Sequence, residues 1–192
     1  MNRYRILQVV GVVIACSVAA FTQNQKTFMK DGLSFNYPSS WAVQDGSKND
    51  AQQLTLTRSD SDAQIKVFVY RSKVETSEKF TEAKRKLVDP YVDSTAKTFE
   101  QMGAHPERSP VSSEIGGVKA EGVKIRAILS GEAGAAEIYW AIVGERLVVL
   151  TFFGPDAALK QMTPAWNTVR ASVQVEGAKP QASPSATPTP KP

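Results

Sequence analysis

The chain has 192 residues, a length that fits one folded domain, and a formal net charge of +4. Setting aside Arg3 and Arg5 near the start and Lys179 and Lys191 near the end takes four of the 23 basic residues and leaves 19 to balance 19 acidic ones. The body of the chain is therefore neutral and lacks the basic excess that a nucleic-acid partner requires. Its one cysteine is Cys16, so the body has no intramolecular disulfide, thiol nucleophile or cysteine-based metal site.

The first five residues are basic through Arg3 and Arg5. Ile6 to Phe21 is apolar apart from Gln8 and Ser17, and Ala15, Ala19 and Ala20 are small. That order is the order of a secretory signal. The apolar run is short of the ~20 residues of a membrane-spanning helix. Cleavage after Ala20 makes residues 1–20 a signal peptide. Val13-Ile14-Ala15-Cys16 offers a second reading, since it resembles a bacterial lipobox, with a signal of 1–15 and a lipid on Cys16. The apolar run continues past the cysteine, which favours ordinary cleavage.

A globular domain is expected over residues 26–176. Leu33, Phe35 and Tyr37 alternate with polar residues after an Asp31-Gly32 turn, as in a half-buried strand stopped by Pro38. Trp41-Ala42-Val43 follows, then a polar turn from Gln44 to Ala51. Leu54-Thr55-Leu56-Thr57 and Ile65 to Tyr70 alternate again around the polar stretch Ser59 to Asp62, which predicts a hairpin.

From Ser77 to Gly103 the apolar period becomes helical, through Phe80, Ala83, Leu87, Tyr91, Phe99 and Met102. Asp89-Pro90 interrupts it and reads as an N-cap with proline at N1. Either one kinked helix or two consecutive helices are expected. The basic run Lys84-Arg85-Lys86, with Glu82 and Asp89 close by, reads as a solvated helix face.

The second half predicts a three-strand meander: Val118 to Leu129, Glu137 to Val143 and Leu147 to Phe153, joined at Ser130–Gly134 and Gly144-Glu145. The last two strands are apolar on both faces, so each face needs a cover. A helix from Asp156, with Leu159, Met162, Trp166, Val169 and Val173 in helical spacing around Pro164, supplies one. A short strand from Ser172 to Val175 is expected to close the sheet. The fold class is α/β (α+β), a three-layer α/β/α sandwich with a mainly antiparallel sheet. Residues 177–192 hold five of the eleven prolines and no apolar side chain larger than alanine, and read as a disordered spacer.

No residue pattern carries chemistry. His105 is the lone histidine and the only candidate general base for a serine such as Ser109 or Ser112, but it sits in a Gly-Ala-His-Pro loop with no nucleophile elbow. Asp89, Asp93, Glu114, Glu121 and Glu137 are scattered, and no calcium loop or glycine-rich phosphate cradle is present. No catalytic, cofactor-binding or metal residue is assigned, and no cofactor is expected. Tyr139-Trp140 and Phe152-Phe153 place one aromatic on each face of a strand, which reads as core packing. Trp41 is the aromatic least clearly assigned to the core.

The segment Asp31-Gly32-Leu33-Ser34-Phe35-Asn36-Tyr37-Pro38-Ser39-Ser40-Trp41 resembles the opening of PsbP-like domains, through Gly32, Phe35, Pro38 and Trp41. The order of elements that follows, from Thr27 to Val175, is similar in plan. The resemblance implies the three-layer sandwich with an antiparallel sheet. It also implies a largely non-enzymatic family, which includes extrinsic photosystem II subunits and bacterial envelope proteins without assigned activity. The proline-rich stretch and single histidine lend no support to a photosystem role.

The expectation is an exported protein of the periplasm or extracellular space, acting by binding or scaffolding. Its partner would be another envelope protein or an unknown small ligand. Membrane contact would come only through the signal segment or a lipid on Cys16. The competing reading is a hydrolase using His105 with a nearby serine. Intact mass of protein recovered from the envelope should show the first 15 to 20 residues missing. Acylated Cys16 at the terminus would decide for the lipoprotein, and an intact Met1 in the cytoplasmic fraction would sink the export reading.

Overall fold

The computed structural model describes residues 24–176; the signal, lipobox and spacer readings lie outside them. Strands β1 (Gln25–Lys30) and β2 (Leu33–Pro38) form a hairpin. Its turn holds Asp31 at φ 50° and Gly32 at φ 77°, the left-handed pair whose twist suits a two-residue hairpin. Strands β3 (Ala42–Asp45), β4 (Ala51–Arg58) and β5 (Ser61–Lys73) follow. Strands β6 (Glu107–Ile115), β7 (Val118–Leu129), β8 (Glu132–Val143) and β9 (Arg146–Pro155) complete a seven-stranded sheet. Its order is β3-β4-β5-β9-β8-β7-β6, antiparallel at every pairing.

Between β5 and β6, helix α1 (Ser77–Ala83), a π-helical stretch Lys84–Val88 and helix α2 (Asp89–Gln101) cross one face of this sheet. Helix α3 (Asp156–Ser172) covers the other. It shares that face with a three-stranded sheet in which β10 (Gln174–Val175) pairs with β2. The three expected layers are present, with this small sheet added to one of them. The closing strand therefore completes the small sheet and not the main one.

Register explains the two covers. Along β9, Val148, Leu150 and Phe152 join the core under α3, while Leu147 and Val149 join the core under α2. Tyr139 and Trp140 split the same way on β8, as their adjacency requires. Trp41 belongs to the α3-side core, only 4% exposed. Ile142 is half-buried beside the α2-side core, at a position the apolar run alone marks as fully covered.

The helical segment answers the Pro90 question in an unexpected way. Asp89 does not cap a new helix; its N–H bonds the Lys84 carbonyl five residues back, and its carboxylate accepts from Lys84 Nζ at 2.6 Å. A proline ring clashes with the carbonyl four residues before it in an α-helix. A wider π turn placed just ahead of Pro90 relieves that clash and keeps the segment continuous. The N-cap that does form is Thr76, whose hydroxyl accepts from Lys79 N.

Strand β6 is absent from the sequence reading, because Pro110 and alternating serines hide it. It is an edge strand, where proline is tolerated for want of a ladder partner on one side. Its turn to β7 is pinned to α3: Gly116 N donates to Arg170 O at 2.9 Å. At φ 56°, a Cβ on Gly116 would lie 2.1 Å from the Val173 carbonyl oxygen, so only glycine allows that approach.

Leu150 is fully buried in the α3-side core. Leu150→Ala should cost about 2–5 kcal/mol in chemical denaturation, as buried leucine truncations do. A change below about 0.5 kcal/mol would place it at a surface and remove the argument for cover on both faces.

Candidate functional site

Helix α2 ends at a glycine stop. Gly103 takes φ 85°, and the N–H groups of Gly103 and Ala104 return to the Glu100 and Phe99 carbonyls. The helix stops before it has covered the tip of the β7–β8 hairpin. The gap is a cleft of about 260 Å³. Its apolar lining comes from Phe99 and Met102 on the helix side and from Leu129, Phe153 and Pro155 on the sheet side. Met102 is 62% exposed, a large apolar side chain left at the mouth.

Two glycines in the lining mark close strand approaches. A Cβ on Gly134 would lie 2.9 Å from the Gly154 carbonyl oxygen, so glycine lets β8 and β9 pair closely there. Gly154, at φ 152°, lets β9 run close to β5, since a Cβ there would lie 2.9 Å from Ala63 Cα. The polar lining is sparse: Thr95 and Thr98 from α2, Asp62 from β5 and Glu132 from β8. Asp62 and Glu132 are exposed. Neither forms an ion pair among the described residues, and no lysine or arginine lines the cleft.

Deeper along the α2 face, the Tyr91 hydroxyl and buried Thr151 share a hydrogen bond of 3.0 Å. Burial pushes the Tyr91 phenol up from its ordinary range. Lys84 holds its ammonium 5.5 Å from the centre of the Trp140 ring, and Trp140 Nε1 is buried without a partner. These contacts fasten the helical layer to the sheet.

A second polar cluster occupies the α3 face. Lys124 Nζ donates to Glu137 Oε1 at 2.8 Å, and the Tyr139 hydroxyl donates to Glu137 Oε2 at 3.3 Å. The Arg170 guanidinium stacks against both Tyr139 and Trp166. Burial, then the Glu137 charge, pushes the Tyr139 phenol up to about 12.

The structure does not bring the sequence-stated candidates together. His105 is exposed in the loop before β6, and Ser109 and Ser112 are exposed on opposite faces of that strand. Five extended residues put Ser112 roughly 17 Å from Glu107, far beyond hydrogen-bond reach of the loop. Asp89 is engaged by Lys84, Asp93 by Arg108, and Glu137 by Lys124. Among the described residues, no three His, Cys, Asp or Glu side chains are placed to hold a metal ion. The cleft residues were not grouped from sequence. Phe99 and Met102 appear there only as the end of a helical stripe, and the one signal was a large apolar residue directly before a glycine stop.

Tyr139 sets an alkaline prediction. Its folded pKa lies above its unfolded value near 10, so its contribution is intact below pH 10 and is lost as pH rises toward 12. Tyr139→Phe should remove that part of the decline. Urea melts of both proteins from pH 9 to 12 check it, and parallel curves would contradict it.

No family model and no curated protein matches the sequence. Solved structures do. A protein from Bacteroides thetaiotaomicron VPI-5482 shares 16% identity at a TM-score of 0.52, over 80% of this chain and 50% of that one. The chain thus spans half the length of that protein. Cyanobacterial PsbP (CyanoP) from Synechocystis sp. PCC 6803 shares 14% identity at a TM-score of 0.50, over 88% of this chain and 98% of that one. With the layers and strand order above, these matches show that the chain has a PsbP-like fold.

Proposed function

We propose that this chain is an exported envelope protein whose domain works by binding or scaffolding, with the cleft beside α2 as its contact site. The cleft carries the reading: its lining is mostly apolar, and Met102 stands 62% exposed at its mouth. A concave surface lined mostly by apolar groups with a few polar ones is the usual composition of a binding site. The basic, apolar and small residues of 1–20 support export. No helix among the described residues is long and apolar enough to cross a membrane. The partner in this reading is another protein of the envelope.

A photo-crosslinking residue placed at position 102 tests the contact site. In envelope preparations it should give a discrete adduct that the same residue at exposed Lys119 does not give. A serine-reactive phosphonate probe tests the opposite class. Labelling that disappears in His105→Ala, with no adduct at position 102, would replace binding by hydrolysis.

A further inference from the structure

The cleft's size and charge narrow what it holds, on the reading that it is the contact site. Small-molecule sites usually enclose about 300–1,000 Å³. At about 260 Å³ this one sits at the small end of such sites, with room for one bulky side chain. Its floor, made by Phe99, Leu129 and Phe153, offers apolar and aromatic surface but few hydrogen-bond partners. The occupying group must therefore be apolar.

The rim adds a sign. Asp62 and Glu132 come from different strands and both line the cleft. Ten ion pairs occur among the described residues, and neither of these two carboxylates takes part in one. Lys66 packs its ammonium against the Phe153 ring, 4.9 Å from its centre, without itself lining the cleft. An apolar slot rimmed by two carboxylates without ion-pair partners complements an apolar side chain flanked by positive charge.

We propose that the cleft binds a segment of a partner protein that presents one bulky apolar or aromatic residue next to lysine or arginine. The apolar residue enters between α2 and the β7–β8 hairpin, displacing water from Phe99, Leu129 and Phe153. The flanking cations meet Asp62 and Glu132 at the rim. The apolar contact supplies the anchor, and the rim charges select which anchor is accepted.

Fluorescence anisotropy of the full chain with two labelled peptides tests this, one centred on Lys-Phe-Lys and one on Glu-Phe-Glu. The basic peptide should bind at least about tenfold tighter, and its affinity should fall as salt shortens the Debye length from ~10 Å at 0.1 M to ~3 Å at 1 M. The double variant Asp62→Asn/Glu132→Gln should weaken it about three- to tenfold, the effect of two exposed charge contacts, with an unchanged melting curve. Met102→Lys should abolish it. Equal binding of both peptides, or indifference to the double variant, overturns the charge assignment while leaving the contact site in place. Binding of neither peptide overturns the inference. In that case a discrete adduct at position 102 still upholds the binding reading, and its absence sinks both.

Discussion

Strand β9 is the constraint on which the rest of this fold depends. It sits between β5 and β8 in the middle of the main sheet, and from Leu147 to Phe152 every residue is buried. A strand at a sheet edge, or with one face in water, would expose every second apolar side chain. Two layers must therefore exist, one per face, and the chain supplies them on either side of the β6–β9 meander. Helices α1 and α2 arrive before it and α3 after it. The buried hydroxyl of Thr151 is the one polar interruption, and Tyr91 reaches down from α2 to satisfy it. A hydrogen bond at that place also fixes where α2 lies along the strand, because either partner left alone would be a buried polar group without a mate.

The two layers are built differently. On one face the cover is a single helical segment, and the π turn before Pro90 keeps its hydrogen-bonded run continuous. On the other face α3 shares the cover with the hairpin β1–β2, whose Leu33 and Phe35 enter the same core as Trp166 and Val169. Strand β10 ties the two parts together. It follows α3 directly and pairs with β2, while the Ser172 hydroxyl accepts from Asn36 N at 2.8 Å. The proline and tryptophan of the opening segment have a packing role here, with Trp41 N bonded to the Pro38 carbonyl and the indole buried.

Much of this architecture was legible because its signals are periodic. Apolar runs on both faces of β8 and β9 called for three layers, and the left-handed turns at Asp31-Gly32 and Gly144-Glu145 fell where hairpins needed them. What stayed hidden depended on partners distant in sequence. Strand β6 has little apolar pattern of its own, since it is an edge strand with an exposed proline, and only pairing with β7 makes it a strand. Strand β10 is expected as a short strand, but the sheet it joins is decided by its neighbour β2. Asp89-Pro90 has the local chemistry of a helix start, yet Val88, Val92 and Ala96 bury against the sheet and keep the helix running through it. Local capping contributes about 1 kcal/mol, and burial of three side chains outweighs it.

The cleft was illegible for the same reason, and its origin follows from the fold. Hairpin β7–β8 is long, with each strand twelve residues, or about 40 Å when extended. Helix α2 is the last part of a continuous helical segment that begins at Ser77, and the cleft opens where that segment ends. The chain could have closed the gap with another helical turn. Instead Gly103 stops the helix, buried Ala104 turns the backbone toward β6, and the apolar stripe ends with Met102 facing open space. The gap thus opens where the glycine stop ends α2 and leaves Phe99 and Met102 beside Leu129 and Phe153.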